Sequence, residues 1–197
     1  MKRAILLTAL ALTLAVPMFA QSTEFGVLVG GGRRFVDTGD AEAGRALLDN
    51  DFSFSNSAID LYWSMELEAD TRLKFKVGRL ETPVAFEIPN DATTDDEDDV
   101  LRRDVMGEVQ HLSMLAEYRF DEPYGSTAIF GGVGLYRQSA DDDDVDSESG
   151  YGYQIGINAD FPISRRYGVI TEATYHWSRG PFTPRYLTLT GGVRIAF

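Results

Sequence analysis

The sequence contains no cysteine, so neither disulfide bonds nor thiolate metal ligands take part in its structure. Beyond residue 20 it also lacks any apolar run close to the roughly 20 residues that a membrane-spanning helix needs. Such a chain can cross a bilayer only as a closed β-barrel, because each backbone N–H and C=O must find its partner within the sheet. Its 197 residues suit a single domain.

Basic residues are few compared with acidic ones. The chain has 18 Lys and Arg against 31 Asp and Glu, which gives a formal net charge of −13 at pH 7. This balance disfavours nucleic acid as a partner, since phosphate groups are bound mainly by Lys and Arg. Phosphate-binding loops, zinc motifs and nucleotide fingerprints are missing as well. We therefore expect no cofactor and no metal.

The first twenty residues form a segment of a different kind. Two basic residues precede an apolar run over 4–16, and Ala20 supplies the small residue of a cleavage site. This order is typical of a secretory signal peptide, and the run is too short for a membrane anchor. The sequence thus predicts a cleaved signal peptide over 1–20 and one β-barrel domain over 21–197.

The rest of the chain alternates apolar and polar residues, which is the period of a half-buried β-strand. Eight such segments are separated by connections that are long and short in turn. Long extracellular loops, short periplasmic turns and an even strand number are typical of outer-membrane barrels. We predict an all-β fold, an eight-stranded antiparallel transmembrane up-and-down barrel, with strands near 24–35, 53–68, 72–82, 106–120, 127–138, 151–162, 167–178 and 185–197 and long loops at 36–52, 83–105, 139–150 and 179–184.

The alternation by itself leaves one alternative open. In the second segment Ile59, Leu61 and Trp63 share one face, and Asp60 and Glu66 share the other. A soluble, exported lipocalin-like ligand-binding barrel has the same pattern with its apolar face inside. Aromatic residues favour the membrane, because they gather at both strand ends, where amphipathic rings meet the interfaces. They are Phe25, Phe120, Phe161, Tyr167 and Phe197 at the periplasmic end, and Tyr153, Tyr175 and Trp177 at the outer end.

Charges of both signs on the polar face predict a lumen filled by ion pairs. Eight strands leave an interior just wide enough for side chains to fill. With a three-residue turn over 69–71, antiparallel pairing sets Glu66 opposite Lys74 and Glu68 opposite Arg72. A two-residue turn would instead set each carboxylate opposite an apolar residue. The predicted lumen network consists of Glu66, Glu68, Arg72, Lys74, Lys76, Glu117, Arg119, Glu172 and Arg194, with Glu108 as a further candidate.

The last strand, from Tyr186 to Phe197, resembles the C-terminal strand of outer-membrane proteins. Phe197 is a terminal aromatic residue, and Ile195 and Val193 place apolar side chains at every second position before it. The resemblance implies that the barrel assembly machinery reads these three residues as its signal. After the signal peptide the chain is similar to the small OmpA/OmpX-like outer-membrane barrel families. That similarity implies a location in the outer membrane of a Gram-negative cell, among its lipids and lipopolysaccharide.

One motif points to an enzyme instead. His176-Trp177-Ser178 resembles the His-x-Ser of lipid A 3-O-deacylases, which are eight-stranded outer-membrane barrels that use serine, histidine and glutamate. However, no glutamate follows Ser178, and parity points His176 into the lumen, whereas those enzymes must meet a lipid. We therefore expect no catalytic residue and interpret the protein as non-enzymatic, with the lipid A-modifying enzyme as an alternative.

Two acidic runs fall in predicted outer loops. Carboxylate oxygens are the ligands that calcium prefers, but the spacing lacks the central glycine and terminal glutamate of an EF-hand. Runs of like charge are usually solvated. We interpret both as acidic surface loops, formed by Asp91, Asp95, Asp96, Glu97, Asp98 and Asp99 and by Asp141, Asp142, Asp143, Asp144, Asp146 and Glu148.

Overall fold

The computed structural model describes residues 22–35, 56–89, 100–140, 147–179 and 185–197. The predicted signal peptide and all but one of the acidic loop residues lie outside these ranges. Among the residues that the structure describes, no helix is long and apolar enough to span a membrane. The strands are β1 (Thr23–Phe35), β2 (Ser57–Glu68), β3 (Thr71–Pro89), β4 (Val100–Glu122), β5 (Gly125–Ala140), β6 (Glu148–Pro162), β7 (Tyr167–Arg179) and β8 (Arg185–Ala196).

The eight strands close into one barrel, in which each strand pairs antiparallel with the next. β8 returns to β1, with Val193 opposite Val27 and Gly192 opposite Leu28. Closure gives every strand two hydrogen-bonded neighbours, as a sheet inside a bilayer requires. The predicted fold, an up-and-down barrel of eight antiparallel strands, is confirmed.

Side chains alternate between the outer wall and the lumen. On β2, Ile59 and Leu61 are exposed, whereas Asp60 and Tyr62 are buried. This facing is the reverse of a lipocalin-like barrel, whose polar face meets water. An exposed apolar wall of this kind is stable in lipid. The outward apolar side chains include Phe25, Val27, Val29, Val77, Leu112, Met114, Phe120, Ile129, Val133, Leu135, Tyr153, Ile155, Ile157, Phe161, Tyr167, Trp177, Val193 and Phe197.

The β2–β3 hairpin differs from the predicted register by two residues. Its turn is only two residues long, 69–70, and a β-bulge lies between Glu66 and Glu68. The bulge adds one residue to β2 and so cancels the change of face that a two-residue turn brings. Glu66 therefore lies opposite Arg72 and not opposite Lys74, while the apolar and polar faces both stay intact.

The β3–β4 hairpin is longer than predicted. Residues 83–105 are expected as a loop, yet Pro83 lies opposite Met106 and Pro89 opposite Val100. This part of the hairpin extends beyond the residues of β2 and β5 that pair with it, since those pairings begin at Leu80 and Gly107. The expected loop is therefore wrong over 83–89 and 100–105, while residues 90–99 lie outside the described ranges. Proline cannot donate to a ladder, but it is tolerated where a strand pairs on one side alone.

Candidate functional site: the barrel lumen

At the end of the barrel that holds Ser22 and Phe197, which is predicted to be periplasmic, lies a group that we call the arginine layer: Glu24, Arg72, Arg119, Asp160 and Arg194. Arg72 Nη1 lies 2.5 Å from Glu24 Oε2, and Arg194 Nε lies 2.5 Å from Asp160 Oδ2. Arg119 joins the two pairs, at 3.0 Å from Asp160 and 3.9 Å from Glu24. The five side chains come from five strands, so the layer links β1, β3, β4, β6 and β8 across the lumen.

The next group towards the outside is the lysine layer: Asp60, Lys74, Lys76, Glu117 and Glu172. Glu172 accepts from both lysines, at 2.6 Å from Lys74 Nζ and in a still closer contact with Lys76. Lys76 also lies 2.9 Å from Asp60 Oδ2, and Lys74 lies 3.4 Å from Glu117 Oε2. Both lysine side chains are fully buried. Burial of an ammonium group is costly unless it is paired, and here each has two carboxylate partners.

Uncharged side chains also contact the charged groups of the lysine layer. Lys74 Nζ lies 4.5 Å from the ring centre of Tyr62 and 4.7 Å from that of Phe130. Aromatic faces attract a desolvated cation. Asn158 donates to Glu117 Oε2 at 2.8 Å, and Thr174 donates to Glu172 Oε1 at 2.8 Å. The carboxylates therefore have partners besides the lysines.

His111 begins the outermost group, the histidine layer. Its Nε2 lies 3.1 Å from Asp60 Oδ1, and its Nδ1 lies 3.1 Å from Gln154 Nε2. The Asp60 carboxylate accepts the hydrogen bond from His111 Nε2. This bond connects the histidine layer to Asp60 in the lysine layer.

His176 occupies the other side of the same layer. Its ring stacks on Tyr186, with ring centres 4.2 Å apart, and lies 5.1 Å from that of His111. Tyr136 Oη lies 3.3 Å from His176 Nδ1, and Thr188 Oγ1 lies 3.3 Å from Nε2. Both rings are buried, so the outer part of the lumen is packed with rings instead of ion pairs.

The structure brings most of the predicted lumen residues together. Arg72, Arg119 and Arg194 lie in the arginine layer, and Lys74, Lys76, Glu117 and Glu172 lie in the lysine layer. Glu66 lies at the periplasmic rim, where Ser22 Oγ donates to it at 2.5 Å.

Two further candidates lie outside the lumen. Glu68 follows the β-bulge and is exposed. Glu108 lies beside Arg79 on the outer wall, at 3.6 Å, because even-numbered residues of β4 face outward and odd-numbered ones face inward.

The predicted lumen network leaves out Glu24, Asp60, His111 and Asp160, although the alternation places Asp60 on the polar face of its strand. Each has the parity of a lumen residue on its strand, so the signal was present in the alternation. Asp60 shares its face with Glu66, and His111 shares its face with Glu117. Parity identifies lumen residues but does not say which of them meet, because partners such as Lys76 and Glu172 come from opposite sides of the barrel.

The His-x-Ser motif lies inside the barrel. His176 and Ser178 are both fully buried on the lumen side of β7. Glu172, on the same face, is engaged by the two lysines. A serine in this position has no access to a lipid acyl chain. Within the described parts of the chain, no three His, Cys, Asp or Glu side chains are grouped in a way that could hold a metal ion.

The C-terminal strand carries its apolar side chains on the outer wall. Val193 and Phe197 are exposed, and Ile195 faces outward between them. The backbone N–H of Phe197 donates to the carbonyl of Thr23 at 2.9 Å, so the last residue takes part in closing β8 against β1.

No protein-family model and no curated protein matches the sequence. Several solved structures do match the fold of this chain. The N-terminal β-barrel domain of Pseudomonas aeruginosa OprF is 13% identical, covers 90% of this chain and 98% of its own, and has a TM-score of 0.56. A major outer membrane protein from Thermus thermophilus is 11% identical, with coverage of 90% and 100% and a TM-score of 0.56. Neisserial surface protein A is 12% identical, with coverage of 89% and 96% and a TM-score of 0.54.

These likenesses concern the fold, which is that of small outer-membrane β-barrels. The predicted resemblance to OmpA/OmpX-like barrels is confirmed at this level, and the predicted location in the outer membrane agrees with it. The chain spans almost the whole length of each of these structures.

Proposed function

We propose that the protein is a non-enzymatic barrel of the outer membrane, whose lumen is plugged by its own side chains and whose outer loops present acidic residues at the cell surface. The outer wall supports the membrane location, since its exposed side chains are mainly apolar between two aromatic ends. The support for the surface role comes from the sequence, which places both acidic runs in predicted outer loops.

One observation is the main support for a lumen closed by its own side chains: the positive and negative charges of the arginine and lysine layers are equal in number. Five cations and five carboxylates contact one another there, from seven of the eight strands. Lys74 and Lys76 have no exposed surface, and Glu172 is buried between them. An open aqueous channel would hydrate such groups, whereas a plug pairs them with each other.

The proposal is tested by recording single-channel currents of the purified, folded protein in planar lipid bilayers. We expect a very small conductance, because the paired side chains occupy the path that ions would take. A matched variant is Glu172→Ala, which removes one carboxylate from the centre of the plug and should raise the frequency of brief openings. Large and steady conductance of the unmodified protein would contradict the plug.

The proposed location has its own test. In fractionated cells, the protein should appear in the outer-membrane fraction as a heat-modifiable band, the mark of a folded barrel. Recovery in the periplasmic fraction would support the soluble ligand-binding barrel instead.

A further inference from the structure

Both histidines of the chain lie together in the histidine layer. Histidine is the side chain that ordinarily titrates between pH 5 and pH 8, since an imidazole in water takes up a proton at about pH 6.5. His111 comes from β4 and His176 from β7, and their ring centres lie 5.1 Å apart. Both side chains are buried, so a proton that binds to either ring brings a charge into the interior of the barrel.

The two rings differ in their partners. His111 Nε2 lies 3.1 Å from Asp60 Oδ1, so a protonated His111 has a carboxylate beside it. The ring nitrogens of His176 lie 3.3 Å from Tyr136 Oη and 3.3 Å from Thr188 Oγ1, which are both hydroxyl groups. Within the parts of the chain that the structure describes, no carboxylate contacts His176. A proton on His176 would therefore be a buried charge without a counter-ion, which is costly.

The neighbouring strands offer His176 no compensating charge. The titratable and charged groups around it are Asp60 on β2, Lys76 on β3, His111 on β4, Tyr136 on β5 and Tyr186 on β8, and the residue opposite it on β6, Gln154, is uncharged. Lys76 and His111 both oppose a positive charge on His176. Asp60 is already held by Lys76 and His111. The stacked ring of Tyr186 attracts a cation, but less strongly than water does.

An apolar cluster packs the lumen at the same end of the barrel, and we call it the outer cluster. It consists of Ala58, Leu80, Val109, Tyr136 and Tyr186, which lie at the ends of their strands opposite the arginine layer. Tyr136 and Tyr186 belong to this cluster and also contact His176. Water that hydrates a protonated His176 must enter between these rings, so the packing of this end depends on the charge of His176.

We infer that the histidine layer and the outer cluster form an acid-sensitive closure of the lumen, which stays packed while His176 is neutral and opens when His176 binds a proton. The arginine and lysine layers do not open with it, because each of their cations keeps a carboxylate partner. The inference rests on the proposed plugged lumen, since an open aqueous channel would hydrate His176 in either state.

The direction of the pH effect follows from proton binding. The closed state binds fewer protons than the unfolded chain, in which His176 is free to titrate at about pH 6.5. Its stability is therefore complete above that pH and falls as the pH falls below it. One histidine that is kept neutral raises the equilibrium constant for unfolding about tenfold between about pH 7.5 and about pH 5.5.

Urea titration of the folded full-length protein in zwitterionic lipid vesicles measures this constant at both pH values. The His111→Gln variant leaves His176 as the one histidine of the chain, and an amide N–H can replace the bond to Asp60. We expect the constant of this variant to rise about tenfold more than that of the double variant His111→Gln/His176→Gln, which has no histidine. Carboxylates contribute equally to both variants, so the difference reports His176 alone.

Nuclear magnetic resonance tests the opening itself. In the folded His111→Gln variant, protonation of His176 should shift its imidazole resonances, and the ring resonances of Tyr136 and Tyr186 should change together with them. The ring resonances of Phe130 in the lysine layer are the internal control and should stay constant. Should a variant fail to fold, as judged by its heat-modifiable band, the unmodified protein with its two imidazoles is measured in the same way.

Two results would overturn the inference. One is the same pH profile of unfolding for the His111→Gln variant and the double variant. The other is a folded protein in which His176 binds a proton while the rings of Tyr136 and Tyr186 keep their resonances. Either result, together with a very small conductance at about pH 7.5, contradicts this inference alone. Large and steady conductance at that pH contradicts the proposed plug.

Discussion

Lys74 Nζ lies 2.6 Å from Glu172 Oε2, although the two residues are 98 positions apart in the chain. Lys74 reaches into the lumen from β3 and Glu172 from β7, so the contact spans the barrel between strands that are not neighbours. Lys76, two residues further along β3, binds the second oxygen of the same carboxylate. Glu172 is thus the anion that holds two buried lysines side by side.

Replacing Glu172 by alanine should destabilise the barrel strongly. It would leave Lys74 and Lys76 close together with one carboxylate each, and breaking a buried ion pair on one side costs about 3–5 kcal/mol. Urea titration of the protein in lipid vesicles, followed by tryptophan fluorescence, measures the free energy of unfolding.

Glu66→Ala is the matched control for this prediction. Glu66 lies at the rim and accepts one hydrogen bond from Ser22, so its loss should cost about 1 kcal/mol. If the two variants lost the same free energy of unfolding, Glu172 would not be central to the stability of the lumen.

Gly78 should not tolerate a side chain. A β-carbon there would lie 1.8 Å from Asp60 Oδ1 and 2.6 Å from His111 Nε2, which cross the position from neighbouring strands. Because Asp60 is also held by Lys76, it cannot simply turn away, and overpacking of this kind costs about 1–3 kcal/mol. Thermal unfolding of Gly78→Ala, read from loss of the folded band on unheated gels, should shift to lower temperature.

A second glycine gives the comparison for Gly78. At Gly191 the nearest atoms to an added β-carbon are 3.8 and 3.9 Å away, which is ordinary contact. Gly191→Ala should therefore unfold at the temperature of the unmodified protein. A Gly78→Ala protein with unchanged stability would argue against the tight crossing of Asp60 and His111.

The aromatic ring of Phe197 should be needed for assembly rather than for the finished fold. Its side chain is exposed on the outer wall, while its backbone N–H closes the barrel against Thr23. Phe197→Ala keeps the backbone bond and removes the ring, so we expect less folded protein in the outer membrane of growing cells. Phe197→Tyr should restore the amount of folded protein in the outer membrane. Normal assembly of the alanine variant would contradict the prediction that Val193, Ile195 and Phe197 form an assembly signal.

Overexpression of the protein should leave lipid A intact. Ser178 and His176 are buried in the lumen, and the carboxylate of Glu172 is occupied by lysines. Mass spectrometry of extracted lipid A should show the full set of acyl chains. Loss of a chain that Ser178→Ala abolishes would establish the deacylase instead.

The sequence by itself determined the number of strands, their antiparallel order and the facing of most residues. Alternation has a period of two, so a residue such as Lys74 or Ile59 shows its face without any knowledge of its neighbours. The clustering of exposed aromatic residues at both strand ends likewise follows from the chain, because interfaces attract the same residue types wherever the strand lies.

Only the tertiary structure decided the register of β2 and β3 and the partners inside the lumen. A turn of two residues combined with a bulge keeps the same faces as a turn of three, so parity could not distinguish Glu66 opposite Arg72 from Glu66 opposite Lys74. Likewise, Lys74 meets Glu172 because closure of the barrel fixes how far each strand is staggered against the others, and that stagger is a property of the whole sheet.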